Sequence, residues 1–158
     1  MSTRVSVSHL ANPGCFLALG FGSGLSPWAP GTMGTLAALG LWLLTVPLGF
    51  GVQIAMTLAA IATGPWICGH CAKRLGVHDH PAIVWDEIAA MWLVLLFTPP
   101  NWAGYGLAFV LFRLFDIAKP WPVRTLDQRV HGGLGILLDD LAAALYAIVI
   151  LTLAQPWL

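Results

Sequence analysis

Charged residues fall into three groups, separated by long stretches without Asp, Glu, Lys or Arg: residues 36–72, 88–112 and 141–158. A helix that crosses the hydrocarbon core of a bilayer needs about 20 mostly apolar residues. The first stretch predicts two short crossings, broken near Pro47, Gly49 and Gly51. The last predicts one crossing, in a helix starting near Ile136. The middle stretch has length for a single crossing, but Pro99, Pro100 and Asn101 stand at its centre. Two prolines remove two helix donors and clash with the preceding turn. They predict a tight hairpin with arms near 83–98 and 101–118. Asp86 and Arg113, each thirteen residues from the nearer proline, then lie at similar depth.

The hairpin reading places all three charged groups on one face of the membrane. A single crossing would put the second and third on opposite faces. Basic residues in short connecting segments mark a cytoplasmic face. The expected fold is all-α: a polytopic membrane helical bundle of about five membrane-embedded helices, forming one domain over residues 1–158. Its N-terminus is inside, its C-terminus outside, and its polar site is on the cytoplasmic face. Arg4 precedes an apolar stretch, but Asn12-Pro13-Gly14 interrupts it, so no signal peptide is expected.

Composition agrees. The chain of 158 residues is 58% hydrophobic and only 9% charged, whereas soluble domains carry about 25% charged residues. Seven Lys+Arg balance seven Asp+Glu, which argues against a nucleic-acid partner, since such proteins show a basic excess. Three cysteines cannot all pair, so a disulfide scaffold is not expected. Trp66-Ile-Cys68-Gly-His-Cys71 ends a hydrophobic crossing without the strand pattern of a thiol oxidoreductase. Packing of small residues between helices is the favoured reading there.

The segment Gly20–Thr35 is rich in Gly, Pro, Ser and Thr and is not expected to form a regular helix. It lacks the P-loop and Rossmann spacings. Glycine N–H groups with Ser and Thr hydroxyls can cradle an anion, and Thr32 or Thr35 could cap the first crossing. A turn without a ligand is the alternative. The run from Gly76 to Glu87 packs His78, Asp79, His80, Asp86 and Glu87 into twelve residues. Asp86 and Glu87 open an apolar helix, where acids also suit the helix dipole. Hard oxygen ligands of this kind suit Mg²⁺ or Mn²⁺. Arg113 and Asp116 are i,i+3 neighbours on one helical face. Asp139 and Asp140 are expected to head the last apolar helix, pointing about 100° apart. Acids gathered from separate helix ends repel one another unless a cation joins them.

The sequence resembles the phosphatidylglycerophosphatase A family of bacterial inner membranes. The resemblance rests on Gly22-Ser-Gly-Leu-Ser-Pro with Pro30-Gly-Thr-Met-Gly, and on Gly76-Val-His-Asp-His with Ile83-Val-Trp-Asp-Glu. It continues through Phe112-Arg to Asp116, Lys119-Pro-Trp-Pro, Val130-His-Gly-Gly and Asp139-Asp140, covering about residues 16–145. It implies a Mg²⁺-dependent enzyme that removes the terminal phosphate of phosphatidylglycerophosphate, giving phosphatidylglycerol and feeding cardiolipin synthesis. On this reading Asp86, Glu87, Asp116, Asp139 and Asp140 hold the metal, with Asp79 as a ligand or catalytic acid. Arg113, Lys119 and Arg124 clamp phosphate oxygens, joined by Ser23 and Thr32. His78, His80 or His131 protonates the leaving glycerol. Attack by water and a covalent aspartyl-phosphate both remain open, and oligomeric state is not implied. A phosphatase for another membrane phosphate is the nearest rival. A small cation transporter or channel subunit is a rival of another class, but it needs polar groups along a whole path.

Overall fold

The computed structural model describes residues 5, 7–77, 80–121 and 123–157, with the side chains of 126–128 outside that description. Among the described residues, all regular structure is helical. The helices are α1 (Pro13–Ala18), α2 (Pro30–Thr45), α3 (Phe50–Leu75), α4 (Trp85–Leu95), α5 (Trp102–Ala118), α6 (Val123–Arg129) and α7 (Gly132–Ala154).

Their ends follow from local chemistry. Asn12 caps α1 by accepting from the Cys15 N–H at 3.1 Å, with Pro13 at the first helical position. Pro47 and Gly49 stop α2, and Gly49 (φ 93°) turns the chain into α3. Gly76 closes α3 in the left-handed conformation, after Lys73 and Arg74 in the last turn, where cations complement the helix dipole. Pro99 and Pro100 follow α4, and the Asn101 side chain caps α5 by accepting from the Gly104 N–H at 2.7 Å.

Three helical stretches are long and apolar enough to cross a membrane: Pro30–Leu48, Phe50–Leu75 and Gly132–Trp157. About five were expected. The correction lies in the hairpin, which forms where the prolines predict it. Helix α4 has 11 residues. At a rise of about 1.5 Å per residue it covers roughly 16 Å. The hydrocarbon core of a bilayer is about 30 Å thick. Helix α4 is therefore too short to cross by itself, although the hairpin's turn at Pro100, Asn101 and Trp102 packs beside Val46 and Pro47 at the far end of α2. Arg113 Nη1 lies 3.8 Å from Glu87 Oε1, so the two arms run back along one another. The single-crossing alternative is thereby excluded.

Helix α4 is buried on almost every side, with Ile88, Ala89, Ala90, Met91 and Val94 fully enclosed. Its tryptophans tie it to the neighbours: Trp85 Nε1 donates to Ala60 O on α3, and Trp92 Nε1 to Ala38 O on α2. Buried Thr35, Thr57 and Thr98 return their hydroxyl protons to the carbonyls of Gly31, Gln53 and Val94. Such internal satisfaction is what a lipid-surrounded bundle requires. Leu44, Leu58, Val110, Leu145, Val149 and Leu153 are exposed, an apolar exterior that suits acyl chains rather than water. Trp28 and Trp121 stand exposed at one end of the bundle, and Trp102 and Trp157 at the other, as in the aromatic belts of membrane proteins.

Three further expectations change. Residues 30–35 are not irregular but form the first turns of α2, whose N-cap is Ala29 rather than a threonine. Helix α7 begins at Gly132, not near Ile136, so Asp139 and Asp140 lie about two turns inside it instead of heading it. Cys15 and Cys71 form a disulfide joining α1 to α3, because α1 packs against α3 and brings their Cα atoms to 4.9 Å; Cys68 is free and buried.

Candidate metal and phosphate site

At the end of the bundle where α4 begins, three helices deliver five acids. The turn preceding α4 is set locally: the Ala82 N–H donates to His80 Nδ1 at 3.1 Å and the Ile83 N–H to His80 O. The Val84 N–H then donates to Ala18 O, docking the entrance of α4 on α1. This places Asp86 and Glu87 in the first turn of α4 and inside the protein. Helix α7 brings Asp140 to the same point. One oxygen from each of Asp86, Glu87 and Asp140 lies within 4.8 Å of the others. Asp86 is 7% exposed and Asp140 4%.

The other two acids are met by bases. Arg113 on α5 pairs with Asp116 one turn later and faces Glu87. Lys119 Nζ donates to Asp139 Oδ2 at 2.6 Å. Lys119 holds a left-handed backbone (φ 41°) at the C-terminus of α5. That conformation costs a non-glycine residue about 1 kcal/mol or more, a strain found where a site over-determines the chain. The adjacent acids Asp139 and Asp140 are both buried because α7 is an inner helix. Asp139 points to the end of α5, and Asp140 to the start of α4.

Arg113, besides pairing with Asp116, faces the cluster of Asp86, Glu87 and Asp140 through Glu87. Burial pushes the Glu87 carboxyl well above the usual carboxylate range, and the charges of Asp140 and Asp116 add to the rise. A hydrogen bond with Asp86 and the Arg113 guanidinium pull the other way. Glu87 Oε2, Asp140 Oδ2 and Arg113 Nε are buried without a hydrogen-bond partner among the described residues. Buried polar atoms are nearly always satisfied. Three hard oxygen donors converging with orphaned oxygens fit a small divalent cation. An acidic cluster able to hold a metal ion is thus a property of this chain.

The remaining candidates are more scattered. Thr32 sits half-buried in the first turn of α2, and the preceding residue, Gly31, touches Glu87 and Arg113. Ser23 donates its hydroxyl proton to Gly20 O at 2.8 Å. Arg124 is exposed on α6, and His131 is exposed at the N-cap of α7. His80 braces the turn before α4. His78 and Asp79 lie outside the described residues. Two contributors were given no role at the site from sequence. One is Gly31, whose signal was the Pro30-Gly31-Thr32 run. The other is Cys68, which receives a hydrogen bond from the Asp86 backbone N–H. It thereby caps a helix whose own N-cap, Val84, supplies no side-chain acceptor. The reading of the Cys-Gly-His-Cys run as small residues packing between helices gives no hint of that role.

The family model for phosphatidylglycerophosphatase A matches residues 16–155. A relative named phosphatidylglycerophosphatase A from Escherichia coli (strain K12) is 46% identical over 143 residues, covering 90% of this chain and 83% of that protein. One of the same name from Haemophilus influenzae is 43% identical over 152 residues, covering 94% and 93%. A Bacteroides thetaiotaomicron relative, described as a candidate phosphatidylinositol-3-phosphatase, is 36% identical over 147 residues, covering 88% and 91%. No solved structure matches the chain.

Proposed function

Because the chain belongs to the phosphatidylglycerophosphatase A family, we propose that its acid cluster is the seat of a Mg²⁺-dependent hydrolysis of phosphatidylglycerophosphate. The chain is a phosphoric monoester hydrolase of the membrane. Water attacks the terminal phosphorus, the P–O bond to glycerol breaks, and a proton passes to the glycerol oxygen. The products are phosphatidylglycerol and inorganic phosphate, and the former supplies cardiolipin synthesis. The observation that carries this reading is the convergence of Asp86, Glu87 and Asp140 oxygens within 4.8 Å.

Asp86, Glu87 and Asp140 would hold Mg²⁺, which supplies charge neutralisation at the phosphate oxygens and polarises phosphorus. Arg113 presents a fork that matches a phosphate bidentately, and Glu87 and Asp116 hold that fork in place. Lys119 adds a point charge from the left-handed end of α5. Asp116 and Asp139 aim these two bases as well as standing next to the metal cluster. Thr32 and the free N–H groups of the first turn of α2 offer further donors to an anion. Ser23 and Arg124 complete the phosphate contacts. Asp79 and a histidine among His78, His80 and His131 provide the proton traffic.

The cytoplasm is the side assigned to the site, in a bacterial inner membrane. Lys73, Arg74, Arg124 and Arg129 all belong to connections or helix ends at the same end of the bundle as the acids, which supports the cytoplasmic assignment through the positive-inside rule. A transporter reading finds no support in the acids, which gather at one end of the bundle. A different phospholipid monoester is the reading the Bacteroides relative favours. Phosphate release from purified protein, compared across phosphatidylglycerophosphate, phosphatidic acid and phosphatidylinositol-3-phosphate with and without Mg²⁺, separates them. Preference for the first lipid in Mg²⁺ supports the proposal, and preference for another lipid replaces its substrate.

A further inference from the structure

Glycines in this bundle are tight for different reasons. A Cβ built on Gly24 would meet Ala82 O at 2.0 Å, and one on Gly133 would meet Pro65 O at 1.8 Å. Those are backbone contacts, and they serve close packing. Gly31 is another matter. Its Cβ would stand 2.2 Å from Glu87 Oε1 and 3.1 and 3.2 Å from the two terminal nitrogens of Arg113. What it meets are the ends of two flexible, charged side chains, so an added methyl need not break the helix. It would instead push the carboxylate and the guanidinium away.

The same turn has a second peculiarity. Helix α2 starts with no acid in its first turn and no side-chain cap. A helix N-terminus leaves N–H groups unpaired and attracts negative charge. Here an acidic side chain arrives across space, as Glu87 of α4 lies against Gly31. The Glu87 side chain thus lies between the first turn of α2 and Arg113 of α5. Its third neighbours are the acids with which it would hold a cation.

We propose that Gly31 is a positioning residue of the site: its missing side chain sets how far Glu87 and Arg113 reach, and so the distance from Glu87 to Asp86 and Asp140. This rests on the metal-site reading above. Larger residues at 31 shift Glu87 out of the cluster and move Arg113 with it. The result is weaker binding of a divalent cation, with the bundle otherwise intact.

The test uses full-length protein in lipid nanodiscs and Mn²⁺ alone as the probe, titrated by electron paramagnetic resonance. Variants are Gly31→Ala, Glu87→Asp, the double variant, and Gly104→Ala as a control. Gly104 is also tight, its Cβ meeting Pro99 O at 2.6 Å, but it lies at the opposite end of the bundle, beside the Pro99-Pro100 turn. Gly31→Ala should raise the Mn²⁺ dissociation constant roughly 10- to 100-fold, the range seen when the supports of metal ligands are disturbed. Gly104→Ala should lower thermal stability and leave that constant alone. Aspartate is one methylene shorter than glutamate, so Glu87→Asp withdraws the carboxylate from a new methyl. Gly31→Ala should therefore cost much less affinity in the Glu87→Asp background than in the parent. That coupling also serves if Gly31→Ala alone accumulates poorly, because the double variant then folds and binds. Parent-like Mn²⁺ affinity in Gly31→Ala, or equal losses in both backgrounds, would overturn the role of Gly31 while leaving the metal site standing. A parent protein that binds no Mn²⁺ would overturn the metal reading and this inference with it.

Discussion

Replacing Asp140 by Asn should make the protein more stable without metal and nearly inactive with it. The substitution keeps size and shape, keeps one acceptor oxygen, and exchanges a charge for an amide donor. Asp140, Asp86 and Glu87 present oxygens within 4.8 Å of one another. Two unit charges at that separation repel by about 3.5 kcal/mol at an effective dielectric of about 20. Asp140 takes part in two such pairs. Protonation of Glu87, which burial already favours, relieves part of the repulsion. A net gain of about 1–3 kcal/mol in metal-free stability is the sensible expectation after that relief. The new amide can also donate to a neighbouring carboxylate, where Asp140 Oδ2 has no partner among the described residues. With Mg²⁺ the sign reverses, because a hard cation loses one of three charged donors. Thermal unfolding in chelator and in excess Mg²⁺, with phosphate release measured on the same sample, reads both effects. A variant that is less stable than the parent in chelator, or that keeps normal turnover, would refute the reasoning.

Four further outcomes follow from the same geometry. Cation binding should weaken as pH falls toward the raised pKa of Glu87, since the proton held there must leave before a metal binds; pH-independent Mn²⁺ affinity would contradict this. The metal-free protein should run the other way. A carboxyl whose folded pKa is raised binds its proton more tightly when folded, so stability grows as pH drops through that raised pKa, which chelator-treated unfolding curves would register. Arg113→Lys should retain more turnover than Arg113→Ala, because it keeps the charge beside Glu87 and Asp116 and loses only the fork; equal loss in steady-state kinetics would remove the charge from the argument. Single cysteines at Lys73 and Arg124 in a cysteine-free background should label from one side of the membrane and one at Trp102 from the other. Labelling of positions 73 and 124 from opposite sides would break the shared site.

Much of the bundle was legible because a bilayer makes crude demands. Charge-free stretches marked α2, α3 and α7, and Pro99-Pro100 marked the reversal between α4 and α5. The same prolines explain why the span count fell from about five to three: they end α4 at Leu95, after too few turns to cross. Asp139 and Asp140 misled on the start of α7, since charges so close together argue for a helix end. In the fold, α4 and α5 shelter them, and the helix extends back to Gly132. The cluster of Asp86, Glu87 and Asp140 was readable as acids collected on one face. The pairing of Arg113 with Asp116 was readable as an i,i+3 neighbour. The pairing of Lys119 with Asp139, 20 residues apart, depends on how α5 meets α7, and no local pattern encodes that. Gly31 against Glu87 and Cys15 against Cys71 are hidden for the same reason.

Asp86, Glu87 and Asp140 are proposed to act through a divalent cation. The most direct measurement is phosphate release from phosphatidylglycerophosphate by purified protein, first stripped of metal and then titrated with Mg²⁺. Negligible release in chelator, recovery on adding Mg²⁺, and no recovery in an Asp86→Asn variant that inserts and folds normally are expected. Full release from verified metal-free protein, or normal Mg²⁺-stimulated release by Asp86→Asn, would contradict it.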